Sequence, residues 1–322
     1  MGKLAIIAEG GGLQAGFATG ALAALNDKIP GFSLRNVDTL VASSASVGNM
    51  FWYFSGRENH IGRKMWTEEL TSEKFILRNP MWRLLCGKPV LDVDYLVDVI
   101  FKQNNPLHIE RIQQATEKLY FPVFNCDSGE IEFFSNHAVP GEYFIRGNKK
   151  ILIRQIPNDK SVYEVIRAAK AIPFLYDKKV HIDGIRYIDG GIREPFTLDI
   201  PAIKNARKIL IVSQRHGTLA EVFSFIAIGT LFFLDCVIRR KDTFERSVAK
   251  DIFKKAFLNR RLMKEVRMLQ RKGELLLIEP EVTLGGTFDN SSQTMRSNYE
   301  IGEEHVLKRR DEILSFVGAT IR

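Results

Sequence analysis

The stretch "LAIIAEGGGLQAGFATGALAALND" (residues 4–27) constrains the fold of this chain more than any other. Five apolar residues without alternation read as a strand buried on both faces, and the glycines that follow read as a tight turn. The alanine- and glycine-rich run after them reads as a helix packed close against a sheet. Strand, glycine turn and helix form the first unit of an α/β fold. "VDTLVAS" (37–43) reads as a second strand and "NMFWYFSG" begins a second helix, closing a βαβ pattern with parallel strands.

Further along, residues 57–115 mix aromatic, basic and apolar positions without strand alternation, so helices and loops forming a cap or substrate-entry region are expected there. "KLYFPVFNC" and "GEIEFFSN" read as strands joined at Asp127-Ser128-Gly129. "SVYEVIRAAKAIP" reads as helical up to the residue before Pro173. "KKVHIDGIRYIDGG" reads as a hairpin around Asp183-Gly184, and "RKILIVSQ" (207–214) and "ELLLIEPE" (274–281) as late strands. The expected division is a catalytic domain over 1–215 and a C-terminal helical extension over 216–322, carrying the last strand and packed on the same domain.

At 322 residues and 45% hydrophobic content the chain can bury a substantial core. Cys86, Cys126 and Cys236 lie far apart, with no paired spacing and no companion histidines, which argues against a disulfide framework or a zinc site. A cytoplasmic protein, peripheral at the inner membrane face, is the expected location. The opening apolar run is too short for a signal peptide, and Ile6 stands where an N-myristoylation motif needs Ser or Thr.

Two local patterns carry chemistry. The turn "EGGGLQAG" aligns backbone N–H groups at a helix N-terminus, where they can face a phosphate or a developing oxyanion. Gly10, Gly12 and Ala15 fit the loose dinucleotide pattern, but that site needs an acid at the end of the second strand. Here Asp38 stands near the strand's beginning and serines stand at its end, so no nicotinamide or flavin cofactor is expected. The second pattern is "VASSASVGN", serines between a buried strand and a helix, the place of a nucleophile elbow. Such a turn needs small residues two before and two after the nucleophile. Val41 rules out Ser43, whereas Ser44 (flanked by Ala42 and Ser46) and Ser46 (flanked by Ser44 and Gly48) both pass. "YIDGG" presents Asp189 at a turn, where a carboxylate can take the serine proton and return it to a leaving group.

These motifs, in this order, resemble the bacterial patatin-like phospholipases, a family of Ser-Asp acyl hydrolases. The resemblance runs from about residue 3 to 215. "EGGGLQAGFATGAL" is similar to the family's oxyanion loop, "LVASSASVGN" to its elbow, "AAKAIPFLY" to the segment before its aspartate, and "YIDGG" to its Asp-Gly-Gly motif. It implies a three-layer α/β/α hydrolase with a mainly parallel central sheet. It also implies hydrolysis of phospholipid or lysophospholipid esters, with Asp189 as base and the amides of Gly10, Gly11, Gly12 and Leu13 as the oxyanion hole. Gln14 and Ala15 depart from the family's loop, and no register of the elbow places glycine on both sides of the serine. In the family an Asp lies six residues before the nucleophile and an Asn five after. Asp38 and Asn49 match those offsets only for Ser44, which is therefore the expected nucleophile, with Ser46 the alternative. The mechanism calls for no metal and no cofactor.

The charge of +8 is concentrated: residues 239–272 hold thirteen Lys or Arg against four acids, leaving the rest of the chain about neutral. Just before them, "EVFSFIAIGTLFFLDCVIRR" (221–240) has an apolar core of about thirteen residues, short of the roughly 20 that span a bilayer. The pair has the make-up of an interfacial anchor, so an anionic membrane surface is expected against residues 221–272 and nucleic acid is not. The rival reading of the same fold is a lipid-binding protein whose altered elbow has lost productive geometry.

Overall fold

In a computed structural model, residues 3–56, 59–193, 197–214, 229–230, 232–234, 236–237 and 243–318 are described. The fold is mixed α/β around a central sheet. Its strands are β1 (Leu4–Ala8), β2 (Thr39–Ala42), β3 (Lys118–Asn125), β4 (Glu130–Ser135), β5 (Tyr143–Arg146), β6 (Lys149–Gln155), β7 (Val180–Ile182), β8 (Ile185–Asp189), β9 (Lys208–Val212) and β10 (Leu275–Ile278). Its helices are α1 (Gly16–Lys28), α2 (Ala45–Phe54), α3 (Asn59–Thr67), α4 (Pro80–Leu85), α5 (Ile109–Gln113), α6 (Val162–Ala168), α7 (Pro201–Lys204), α8 (Thr243–Arg271), α9 (Ser292–Lys308) and α10 (Arg310–Val317). A π-helical segment, Tyr95–Asn104, lies between α4 and α5.

The sheet runs β10-β9-β1-β2-β3-β4-β6-β5, parallel from β10 through β3. β1 and β9 are flanked by parallel neighbours and almost wholly buried, which is why they read as unbroken apolar runs rather than alternating ones. Beyond β3 the sheet turns antiparallel through β4, whose hairpin is made by Asp127-Ser128-Gly129 with Gly129 at φ 73°.

β10 joins the same sheet beside β9, and α9 packs along α1. The two helices meet at Gly20 and Gly302. A Cβ on either would lie 2.0 Å from a carbonyl oxygen across the contact, of Tyr299 and Phe17 respectively, so only glycine permits this approach. The described residues after 215 therefore add a strand to the central sheet and a helix packed on α1.

Three local expectations need revision. α2 starts at Ala45, four residues before the expected onset at Asn49, because Ser44 itself is the cap residue. α6 ends at Ala168 rather than running to the residue before Pro173. The chain leaves the helix there so that the Ala171 carbonyl can accept from the Asp189 N–H at 3.1 Å. β5 and β6 form a hairpin at the sheet edge that the sequence pattern did not disclose, since Lys, Arg and Gln interrupt it.

The expected apolar helix at 221–240 lies mostly outside the described residues; 229–230, 232–234 and 236–237 are helical. The basic stretch forms α8. Val248, Ala249, Ile252, Met263 and Val266 on it are buried, while Arg246, Lys250, Arg261, Lys264, Arg267 and Arg271 are exposed. Among the described residues no helix is long and apolar enough to cross a membrane.

Candidate active site

One edge of β3 brings the site together. β4 occupies the other edge, so β2 and β8 share this one: β2 pairs with residues 118–120 of β3, and β8 runs in antiparallel against 123–125. Val41 stands opposite Tyr120 and Asp189 opposite Val123, three residues or about 10 Å along the strand. The C-terminal ends of β2 and β8 thus face each other. Pro122, which has no N–H to donate, falls in the gap between the two partners.

Ser44 follows β2 and caps α2 with φ 50° and ψ −124°, a region that costs a non-glycine residue about 1–3 kcal/mol. The strained turn lifts its hydroxyl clear of the sheet, and Ser44 Oγ donates to Asp189 Oδ2 at 2.6 Å. The other oxygen, Asp189 Oδ1, accepts the Gly191 N–H at 2.7 Å, which fixes the carboxylate's orientation. The two serines beside Ser44 are engaged elsewhere. Ser43 Oγ accepts the Gly10 N–H at 2.9 Å, and Ser46 Oγ, fully buried, donates to the Glu9 carbonyl at 2.6 Å. Both therefore hold the glycine loop against the elbow, and Ser46 is not brought to the carboxylate.

Of the four amides expected to form an oxyanion hole, two are occupied. Gly10 donates to Ser43 as described, and Leu13 donates to the Thr287 carbonyl at 3.1 Å. The amides of Gly11 and Gly12 have no hydrogen-bond partner among the described residues. Asp38 is remote from the site: at the opposite end of β2, its carboxylate accepts the Leu4 N–H at 2.8 Å and joins β1 to β2. Asn49 lies on the pocket wall, with Oδ1 accepting from the Trp66 indole at 2.9 Å and Nδ2 unpaired.

The pair opens into a cavity of about 730 Å³, within the range of small-molecule sites. Residues 65–101 supply half of its apolar wall among the described residues, through Met65, Trp66, Phe75, Leu84, Leu96 and Phe101 among others. Phe232 closes part of another side, stacked on Phe174 with ring centroids 4.2 Å apart. Ile252 of α8 also lines the cavity, and the neighbouring Asp251 pairs with Arg193 just past the Asp-Gly-Gly turn.

Two polar residues of this cavity escaped the sequence reading. Gln214, just past β9, donates from Nε2 to the Glu9 carbonyl at 2.7 Å, leaving a buried Oε1 unpaired. Lys170 is buried, and desolvation pushes its pKa down to about 8 against the raising effect of Asp189. Its only mark in the sequence is a charge inside the small-residue run "AAKAIP".

A family model described as patatin-like phospholipase matches residues 6–202. The chain belongs to the patatin-like phospholipase family. Among curated proteins, Escherichia coli K12 YjjU, itself uncharacterized, is 25% identical over 214 residues, covering 66% of this chain and 52% of that protein. The chain thus matches about half the length of that relative. Two solved structures are similar over almost all of this chain. Legionella pneumophila VipD has a TM-score of 0.46 at 12% identity, covering 97% of this chain and 67% of VipD. Human GIVD cytosolic phospholipase A2, in complex with methyl gamma-linolenyl fluorophosphonate, has a TM-score of 0.45 at 14% identity, covering 99% and 59%.

Proposed function

We propose that this patatin-like phospholipase hydrolyses carboxylic esters of phospholipids or lysophospholipids, with Ser44 as nucleophile and Asp189 as general base. The observation that carries the reading is the 2.6 Å hydrogen bond from Ser44 Oγ to Asp189 Oδ2, made from a strained turn in the lining of an apolar cavity. As Oγ bonds to the ester carbonyl carbon, its proton passes to Asp189 and the carbonyl oxygen takes the negative charge. The amides of Gly11 and Gly12 stabilise that oxygen. Collapse of the tetrahedral species breaks the ester C–O bond, and the departing alcohol takes the proton from Asp189. Water then repeats the sequence on the acyl-enzyme, giving its proton to Asp189 as it attacks, and Ser44 recovers its proton when the fatty acid leaves.

The apolar wall suits an acyl chain, and the surroundings suit an anionic lipid surface. α4 places Leu84 in the cavity wall while Trp82 and Leu85 beside it are 67% and 62% exposed. Residues 74–88 include Lys74, Arg78, Arg83 and Lys88 and no acid. Phe288, which lines the cavity, and Val282 are exposed on the loop after β10. With the basic face of α8, these residues have the composition of an interfacial surface.

The test is hydrolysis of radiolabelled phosphatidylcholine and lysophosphatidylcholine, combined with fluorophosphonate labelling and peptide mapping. Fatty acid release and a label on Ser44 are expected. A folded protein that binds lipid vesicles but takes no label would instead be the non-catalytic lipid binder.

A further inference from the structure

We propose that Lys170 is a positioning residue of the Ser44–Asp189 pair, its ammonium holding the elbow backbone and keeping the cavity electrically neutral through the reaction. The inference rests on the reading of Ser44 and Asp189 as nucleophile and base.

Lys170 Nζ donates to the carbonyls of Ser44 at 3.3 Å and Ala45 at 3.1 Å. These are the two residues at which the chain turns from the strained elbow into α2. Gly48, one turn further on, leaves room for the amine: a Cβ there would lie 3.4 Å from Nζ and 2.9 Å from the Phe101 ring. On the other side, Ala171, the residue after Lys170, accepts the Asp189 N–H through its carbonyl. One short segment thus touches the backbone of both members of the pair.

This is a poor place for a cation as regards stability alone. It is nine-tenths buried, and it stands at the N-terminal, positive end of a helix. A Met of similar length would fill the same space without the desolvation cost. What balances the charge is Asp189, the one carboxylate among the described residues that line the cavity, as Lys170 is their one cation. Around Nζ, α2 presents only carbonyls and Gly48, and the π-helical segment presents Phe101. Arg167, on the lysine's own segment, is engaged by Asp94, Asp98 and Glu164.

The reaction moves negative charge from Asp189 to the carbonyl oxygen of the ester. With the ammonium present, the described lining of the cavity carries no net charge either before or after that transfer. With a neutral amine the anion is uncompensated, and the cost is greater after the transfer, where the charge sits on a single alkoxide-type oxygen instead of being shared over the two hydrogen-bonded oxygens of Asp189, so loss of the ammonium raises the barrier. Burial holds the pKa near 8, so the ammonium is present below that pH and lost above it. Turnover therefore declines as pH rises through about 8.

The experiment measures kcat/KM for p-nitrophenyl butyrate between about pH 6 and 10 in wild type, Lys170→Arg and Lys170→Met, with Ser44→Ala as the background. Wild type should lose activity with a midpoint near pH 8. Lys170→Arg should keep its rate to the top of the range, because a guanidinium stays charged throughout. Lys170→Met should be slower by about tenfold or more at pH 7, with no basic limb. Circular dichroism and melting temperature follow folding; if the Met variant does not fold, the limb of the Arg variant decides. An unchanged basic limb in Lys170→Arg, or a Lys170→Met enzyme that keeps the wild-type rate and profile, overturns the proposal while leaving the dyad in place. A wild type with no Ser44-dependent turnover and no fluorophosphonate label removes the dyad reading and this inference with it.

Discussion

Ser44 and Asp189, 145 residues apart in the chain, meet at 2.6 Å because the strands that carry them end toward each other on one edge of β3. The proximity belongs to the sheet rather than to a flexible loop, so the pair is held before any substrate arrives. Ser44→Ala is expected to abolish ester hydrolysis and fluorophosphonate labelling. Asp189→Asn should slow turnover by about 10²–10⁴-fold with little change in fold. Ser46→Ala, which removes one buried hydrogen bond to Glu9, should keep the label and lose about 1 kcal/mol of stability. Labelling on Ser46 in the Ser44→Ala protein would reverse the assignment.

Gly10 is the point where the glycine loop touches the elbow. A Cβ there would lie 2.3 Å from Ser44 Cβ and 2.7 Å from the Ser43 carbonyl oxygen. Neither can move without disturbing the 2.9 Å bond from the Gly10 amide to Ser43 Oγ. Gly10→Ala is expected to cost about 1–3 kcal/mol of stability, the usual range for overpacking, and to slow labelling of Ser44. Thermal melting and the labelling rate measure the two effects. An alanine variant with wild-type labelling would mean that the loop tolerates displacement.

The parallel half of the fold was legible in the sequence because buried parallel strands leave uninterrupted apolar runs, and β1 and β9 are nearly continuous in this way. The elbow was legible because a turn with φ 50° at Ser44 demands small flanking residues. What could not be read were relations between distant backbones. No local pattern says that the Leu13 amide is taken by Thr287, which takes it out of the expected oxyanion set. Lys170 was invisible for a similar reason: a lysine after a helix is ordinarily solvated, and only its placement against Ser44 and Ala45 makes it part of the site. Past the early end of α6, the Ala171 carbonyl accepts the N–H of Asp189, which lies on β8 and so leaves no mark in the local sequence.

Trp82 and Leu85 make a separate prediction about the lipid surface. Both are exposed on a short helix whose Leu84 lines the cavity, so a bilayer that covers them would lie against an element of the cavity wall. Trp82→Ser combined with Leu85→Ser should weaken flotation with vesicles containing anionic lipid by about tenfold, with little loss of turnover on soluble esters. Charge reversal at Lys264 and Arg267 on the exposed face of α8 should weaken binding chiefly at low salt, where screening is least. Equal loss of flotation on neutral and anionic vesicles would assign binding to the apolar residues alone.

His305 ties the stability of the C-terminal helices to pH. It lies on α9 with its ring 6.0 Å from that of Phe17 on α1, and Arg309 stands at 3.4 Å from its Nε2. Burial, and then the charge of Arg309, hold its pKa below the usual 6.5 in the folded protein. The unfolded chain takes up the proton near pH 6.5, before the folded chain does. Between the two values the unfolded state binds more protons, so stability is greatest above about pH 6.5 and falls as pH drops toward the lower folded value. His305→Gln removes this proton uptake, and its melting temperature should fall less between about pH 7.5 and 5.5 than that of the wild type. Differential scanning fluorimetry across that range measures the difference. Parallel melting curves for the two proteins would place the acid sensitivity in other groups and leave His305 as packing against Phe17.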